Sequence, residues 1–180
     1  MTTNRQEVLQ NRLGPEIQEF KQQCKTIVLA TLDKEGTPNV SYAPFVINNG
    51  EYQVIISTIA RHARNLLDVP KVSLMLLEDE SKSREIYARR RLTFDAAARV
   101  LTRHSDEWHS AVQALQNRHG KIVENLSKLE DFKVFCFKPT AGLFVKGFGK
   151  AFQVTSDELV SFVHLDEGHQ EEGPHQPEAK

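Results

Sequence analysis

A chain of 180 residues with 39% apolar side chains is long enough to fold as one domain around its own core. Its 23 basic and 24 acidic residues leave a net charge of −1, without the clustered cationic excess that nucleic-acid binding uses. The apolar runs are too short to span a membrane, and the two cysteines, Cys24 and Cys136, imply free thiols in a reducing compartment rather than a disulfide framework.

The first sixteen residues are polar and amphipathic and do not read as an export signal. Leu9, Leu13, Ile17, Phe20 and Cys24 recur at helical spacing, which predicts a helix over about residues 4–23. Gly14-Pro15 should kink or restart it. The period then shortens. Residues 26–32 (TIVLATL) read as a strand, and residues 33–36 (DKEG) as a turn. Residues 39–46 and 52–57 read as further strands joined at Asn48-Asn49-Gly50.

Residues 61–67 (RHARNLL) predict a short helix ended before Pro70, and 71–77 another strand. Over 89–100 the pattern alternates, with Arg89, Arg91, Thr93 and Asp95 on one face and Leu92, Phe94 and Ala96 on the other. Ser105-Asp106-Glu107 opens a helix that Gly120 can end, and Ile122 to Leu129 form a second. Residues 132–137 and 143–154 read as the last strands. The spacing of Thr155 and Glu158 predicts one or two closing helical turns. Gly147 and Gly149 suit a barrel bend. Six or seven strands with peripheral helices predict a mainly β fold, a small closed or nearly closed barrel. The expected division is a domain over 1–165 and a polar tail over 166–180 that little can bury.

Three stretches carry a resemblance: GTPNVSYAPF (36–45), STIARHARNL (57–66) and GLFVKGFGKA (142–151). In this order they resemble the split-barrel, FMN-binding-like fold of the pyridoxamine 5′-phosphate oxidase superfamily. With the ending FVHLDEGH (162–169) the chain is similar to the HutZ and HugZ type of haem-utilisation proteins, from about residue 8 to 170. The resemblance implies a cytoplasmic homodimer that binds haem at the subunit interface and opens the ring oxidatively, as a haem oxygenase-type enzyme. It implies His169 as the iron ligand, Asp131 of the neighbouring protomer as the carboxylate supporting that histidine, and Arg91 as a cation beside the haem. Haem would be both substrate and cofactor, with an external electron donor and a haem-delivery protein as further partners.

The same residues also have plainer readings. An axial ligand needs a neutral imidazole nitrogen, and Gly168 allows its backbone to approach. By itself His169 would be a histidine in a polar tail. His164 lies nearer an apolar face, and His175 lies further out in the tail. Asp131 could simply open the strand that follows it; its functional role would be to accept the imidazole N–H and make the ligand a stronger donor. Arg61, His62 and Arg64 stand near a helix start, where cations and free amides suit a phosphate or a propionate, or where the helix is only docked. A flavin enzyme using Ser57, Thr58, Arg61 and Arg64 for FMN phosphate is the alternative, as is a haem storage or delivery protein without turnover. The chain has no zinc-type Cys/His spacing, no GxGxxG, no P-loop and no nucleophile elbow.

Overall fold

The computed structural model describes residues 2–147, 150–155 and 160–162. The elements run α1 (Thr2–Gln23), β1 (Thr26–Leu32), β2 (Pro38–Pro44), β3 (Val46–Asn48), β4 (Glu51–Ser57), α2 (Arg61–Asp68), β5 (Lys71–Leu77), β6 (Arg91–Val100), α3 (Asp106–His119), α4 (Ile122–Ser127), β7 (Phe132–Val145), β8 (Ala151–Thr155) and β9 (Val160–Phe162).

The strands form one curled antiparallel sheet in the order β2-β1-β5-β6-β7-β4-β3, with β8 and β9 branching from β7. The chain joins the two ends of this path itself. β2 stops at Pro44, β3 starts at Val46, and only the fully buried Phe45 stands between them. Pro44 pairs with Thr26 but has no amide to donate, and the expected single strand over 39–46 divides there, which leaves β2 and β3 at the two ends of the curled sheet. The fold is a split barrel, as expected.

β7 is where the barrel splits. Its first residues, Phe132 to Phe137, pair with β4, while Ala141 to Val145 pair with β8. β6 follows β7 along both stretches, with a shift of register between Phe94 and Ala96. Gly142 sits at that shift. A Cβ there would lie 2.4 Å from the Phe94 ring, so only glycine lets the two strands approach.

One core fills the barrel. Leu13, Ile17 and Phe20 of α1 meet Ile27, Leu29, Leu74, Leu92, Phe135, Phe137 and Phe144. Phe20 tilts against Phe144 at 5.9 Å, and Tyr52 lies 5.7 Å from both Phe45 and Phe94. Each such side chain contributes roughly 1.5–3 kcal/mol by leaving water. A second core lies under α3, where Trp108, Ala111 and Leu115 cover Ile55, Val134 and Cys136. β4 is therefore covered on both faces, which explains its unbroken buried run from Tyr52 to Ile56.

Several expectations change. α1 is continuous through Pro15 instead of restarting there. Its apolar stripe is held against the barrel, and the Glu16 carboxylate binds Lys146 Nζ at 2.6 Å. β7 runs through Pro139 as one 14-residue strand that ends at Val145, and β8 starts at Ala151, so the expected strand over 143–154 is divided in two. Gly147, just past the end of β7, takes a positive φ of 89°. The predicted helical turn after Thr155 is corrected: Val160–Phe162 is a strand paired with β8. Pairing with an open strand edge satisfies more backbone groups than a single helical turn, which leaves most of its own unpaired.

Candidate functional site

On the outer face of the barrel, the register lines up side chains that are far apart in the chain. Tyr42, Val28, Met75, Thr93, Leu143 and Gln153 form one row across six strands. Val40, Ala30, Ser73 and Asp95 belong to the lining beside it. Apart from Tyr42, which turns to the neighbouring hollow, these rows line an apolar groove of about 580 Å³. Val40 is 72% exposed and Tyr42 66%, so this face presents large apolar groups to solvent. Ser73 donates to the Asp95 carboxylate at 2.6 Å, which puts one acid–hydroxyl pair in the groove.

A second hollow of about 750 Å³ adjoins the groove and shares Val28 with it. It lies between the end of α1 and the loop from Glu78 to Arg90, which contains two short 3-10 turns. Thr26, Tyr42, Cys24 and Lys82 are among its walls.

The structure separates the three adjacent arginines. Arg89 lies before β6 and not on its face, a correction to the alternation read over 89–100. Its guanidinium donates to the Glu78 carbonyl and pairs with Glu80 at 3.1 Å. Arg90 pairs with Glu78 at 2.7 Å and lies over the Phe20 ring. Arg91 opens β6, is exposed, and has no side-chain partner among the described residues. It stands opposite Leu77 and Val145, two residues from Thr93 on the groove face.

At the other end of β7 the chain builds a polar knot. Ser57 Oγ donates to Asp131 Oδ2 at 2.5 Å and accepts the Ile59 amide at 3.1 Å. The Thr58 amide donates to the Asp131 carbonyl at 2.8 Å. Asp131 is thus brought beside Ser57 and Thr58, 74 residues away in sequence, and no local pattern signals that bond. α2 follows directly. Arg61 pairs with Asp33 at 3.1 Å, and Arg64 donates to the Ile59 carbonyl. His62 is half-buried, and loss of hydration lowers its pKa. Arg61, His62 and Arg64 therefore share one short helix, but both arginines already have partners.

Asp131 and Arg91 do not meet within one chain. They stand at opposite ends of β7, next to Phe132 and across from Val145. His164, His169, His175 and Gly149 lie outside the described residues.

Sequence reading also missed a compact acidic group. Donor atoms of Glu51, Glu107 and Cys136 lie within 4.8 Å of one another. Arg99 occupies the space between the two carboxylates, binding Glu51 at 2.5 Å and also Glu107. Burial pushes the Cys136 thiol up to about 12. A cation already sits among these acids and the thiol stays protonated, so the group reads as an ion-pair network.

The conserved-domain description of pyridoxamine 5′-phosphate oxidase matches residues 13–146, most of the barrel described above. The chain belongs to the pyridoxamine 5′-phosphate oxidase family. Within it, the chain is 55% identical over 165 residues to the heme oxygenase HutZ of Vibrio cholerae serotype O1, covering 92% of this chain and 94% of that one. A crystal structure of Vibrio cholerae HutZ, there described as a heme storage protein, superposes with a TM-score of 0.73 at 54% identity, over 77% of this chain and 97% of that one. Campylobacter jejuni ChuZ superposes with a TM-score of 0.80 at 28% identity, over 88% and 65% of the two chains. The family is the one that the three motifs implied, and the HutZ relative is the one that the ending over 162–169 added. Among the described residues no helix is long and apolar enough to cross a membrane.

Proposed function

We propose that this protein binds haem and opens the porphyrin ring with dioxygen and external electrons, freeing iron and a biliverdin-type product. The observation that carries the reading is the 55% identity, over nearly the full length of both chains, to a relative named heme oxygenase. Haem is a flat apolar ring with two carboxylates at one edge. An apolar groove walled by Val28, Met75 and Leu143, with the open cation Arg91 beside it, suits both parts of such a molecule. Bound haem supplies the iron that activates dioxygen. The protein holds the ring, orients it and limits water around it.

The working unit in this reading is a homodimer in the cytoplasm. The exposed Val40 and Tyr42 on the groove face favour a second copy as the cover. Both cysteines are free thiols, as a reducing compartment allows. Residues 166–180 serve as a ligand-bearing tail, with His169 on iron, Asp131 of the partner accepting its other N–H, and Arg91 near a propionate. Arg61, His62 and Arg64 contribute the polar rim.

Chain geometry supports the crossed arrangement. Phe162 pairs with Phe152, which pairs with Phe144 beside Leu92, so the chain leaves β9 at the Arg91 end. His169 is seven residues further on, a reach of at most about 25 Å. Asp131 lies 13 residues before Phe144, roughly 40 Å along a strand, which curling shortens. A carboxylate from a second chain avoids that path.

The test is a haemin titration followed by reductant in air. A Soret band at one haem per site, then its loss with a biliverdin-type product, is expected. His169→Ala should remove normal ferric ligation, and His164→Ala should not. Haem bound stably through many reductant cycles would favour the storage reading, which the description of the HutZ crystal structure supports. A yellow flavoprotein would favour FMN instead.

A further inference from the structure

Seven histidines occur in this chain, and two of them face each other away from the groove. His104 and His109 flank the start of α3, and both are exposed. They occupy the positions just before the N-cap Ser105 and four residues into the helix, a pair of sites that ordinarily holds two packed apolar side chains. Here both positions carry imidazoles. His104 stands edge-on to Trp108 at 5.2 Å, and His109 stands edge-on to it at 5.0 Å. The indole is buried and held by α3, so it acts as a fixed wall for both rings.

The geometry points to a chelating site for a borderline divalent cation of the nickel, copper or zinc class, held by His104 and His109. The two ring centroids are 6.1 Å apart. A metal–nitrogen bond of about 2.1 Å puts an imidazole centroid roughly 3.2 Å from the ion, so two rings sharing one ion lie roughly 4.5–6.4 Å apart from cis to trans. The observed separation lies within about 1 Å of the roughly 5.2 Å that a tetrahedral ion sets, a gap that rotation of the two exposed rings can close. Imidazole is the common ligand for these ions, and the pair supplies two of them, leaving the remaining positions to water. Arg103 lies over the Trp108 ring at 5.8 Å, and its guanidinium is held there by the carbonyls of Ser127 and Leu129 rather than extended toward the two imidazoles. None of these residues lines the outer-face groove or the adjoining hollow, so the site is independent of the proposed haem chemistry.

Trp108 is the sole tryptophan and touches both rings, so its fluorescence reports this site. Ni²⁺ is the probe, because it quenches nearby indole and leaves the thiols unoxidised. Titration of the full-length protein in a non-coordinating buffer at pH 7.5 should give saturable quenching that excess Zn²⁺, which does not quench, reverses. His104 has a φ of 65°, a conformation asparagine tolerates, so His104→Asn preserves the backbone while removing the ligand. His104→Asn and His109→Gln should each raise the midpoint by more than about tenfold, the lower end of what losing even an outer partner costs a metal site. His169→Ala should leave it unchanged. Unchanged midpoints in both α3 variants, or no quenching of the native chain by millimolar Ni²⁺, would overturn the site.

Discussion

The bond between Ser57 and Asp131 allows a structural role for the aspartate to be separated from a catalytic one. A net hydrogen bond to a charged group is worth about 1.5–3 kcal/mol, and half-exposure of Asp131 brings this to about 1–2 kcal/mol. Asp131→Asn keeps a carbonyl acceptor for Ser57 but loses the charge, so it should cost about 1 kcal/mol. For a chain of this length that is a drop in Tm of about 2–4 °C. Ser57→Ala removes this bond and also the acceptor of the Ile59 amide, so it should cost about 2 kcal/mol, or about 4–8 °C. If Asp131 supports the iron ligand, the order reverses for chemistry. Asp131→Asn, the milder change for stability, should shift the iron–histidine stretch and slow haem degradation more than Ser57→Ala does. Thermal melts, resonance Raman and single-turnover degradation on the two variants give the comparison. Loss of turnover that simply follows loss of stability, with Ser57→Ala the worse in both, would refute the catalytic reasoning.

Four further outcomes are expected. In mixed dimers of His169→Ala and Asp131→Asn chains, about half of native turnover should return, because a pair that crosses the interface leaves one site intact; activity at the level of the single variants would place the pair within one chain. Gly142→Ala sets a methyl 2.4 Å from the Phe94 ring and 2.7 Å from the Thr93 carbonyl, so it should lose about 1–3 kcal/mol, or roughly 3–9 °C of Tm. Phe94→Leu should recover part of that loss, measured as non-additivity in urea melts. Cys136, fully buried with its thiol pushed up to about 12, should resist a disulfide reagent at pH 8 until the chain unfolds, while half-buried Cys24 reacts slowly, which time-resolved thiol counts will show. Burial lowers the His62 pKa, so between its folded value and the ordinary histidine value near 6.5 the unfolded chain binds more protons; the contribution of His62 is present above about 6.5 and is lost as pH falls through that window. His62→Gln should narrow the difference in Tm between pH 7.5 and 5.5.

Strong periodicity made much of this protein legible from its residues. β5 matches its expected span at both ends, and β1 does the same, because alternating apolar groups allow one buried face and one register. α3 begins where Ser105 caps it and stops at Gly120, whose φ of 86° suits glycine. The motifs over 36–45, 57–66 and 142–151 were enough for the family. Only the tertiary structure decided what these pieces share. β7 runs through Pro139 because β6 pairs with it on both sides of that residue, an outcome no local propensity encodes. Val160–Phe162 joins a strand edge despite its helix-like flank, since β8 offers backbone partners that a lone turn lacks. The groove is assembled from single outward residues of six strands, each unremarkable in its own segment. Arg91 is left open because Arg89 and Arg90 find acids in a loop. Ser57 reaches Asp131 because β4 and β7 place their ends together. Spacing along a chain reveals which face a residue takes, whereas contact between distant residues follows from how the sheet curls and where its strands end.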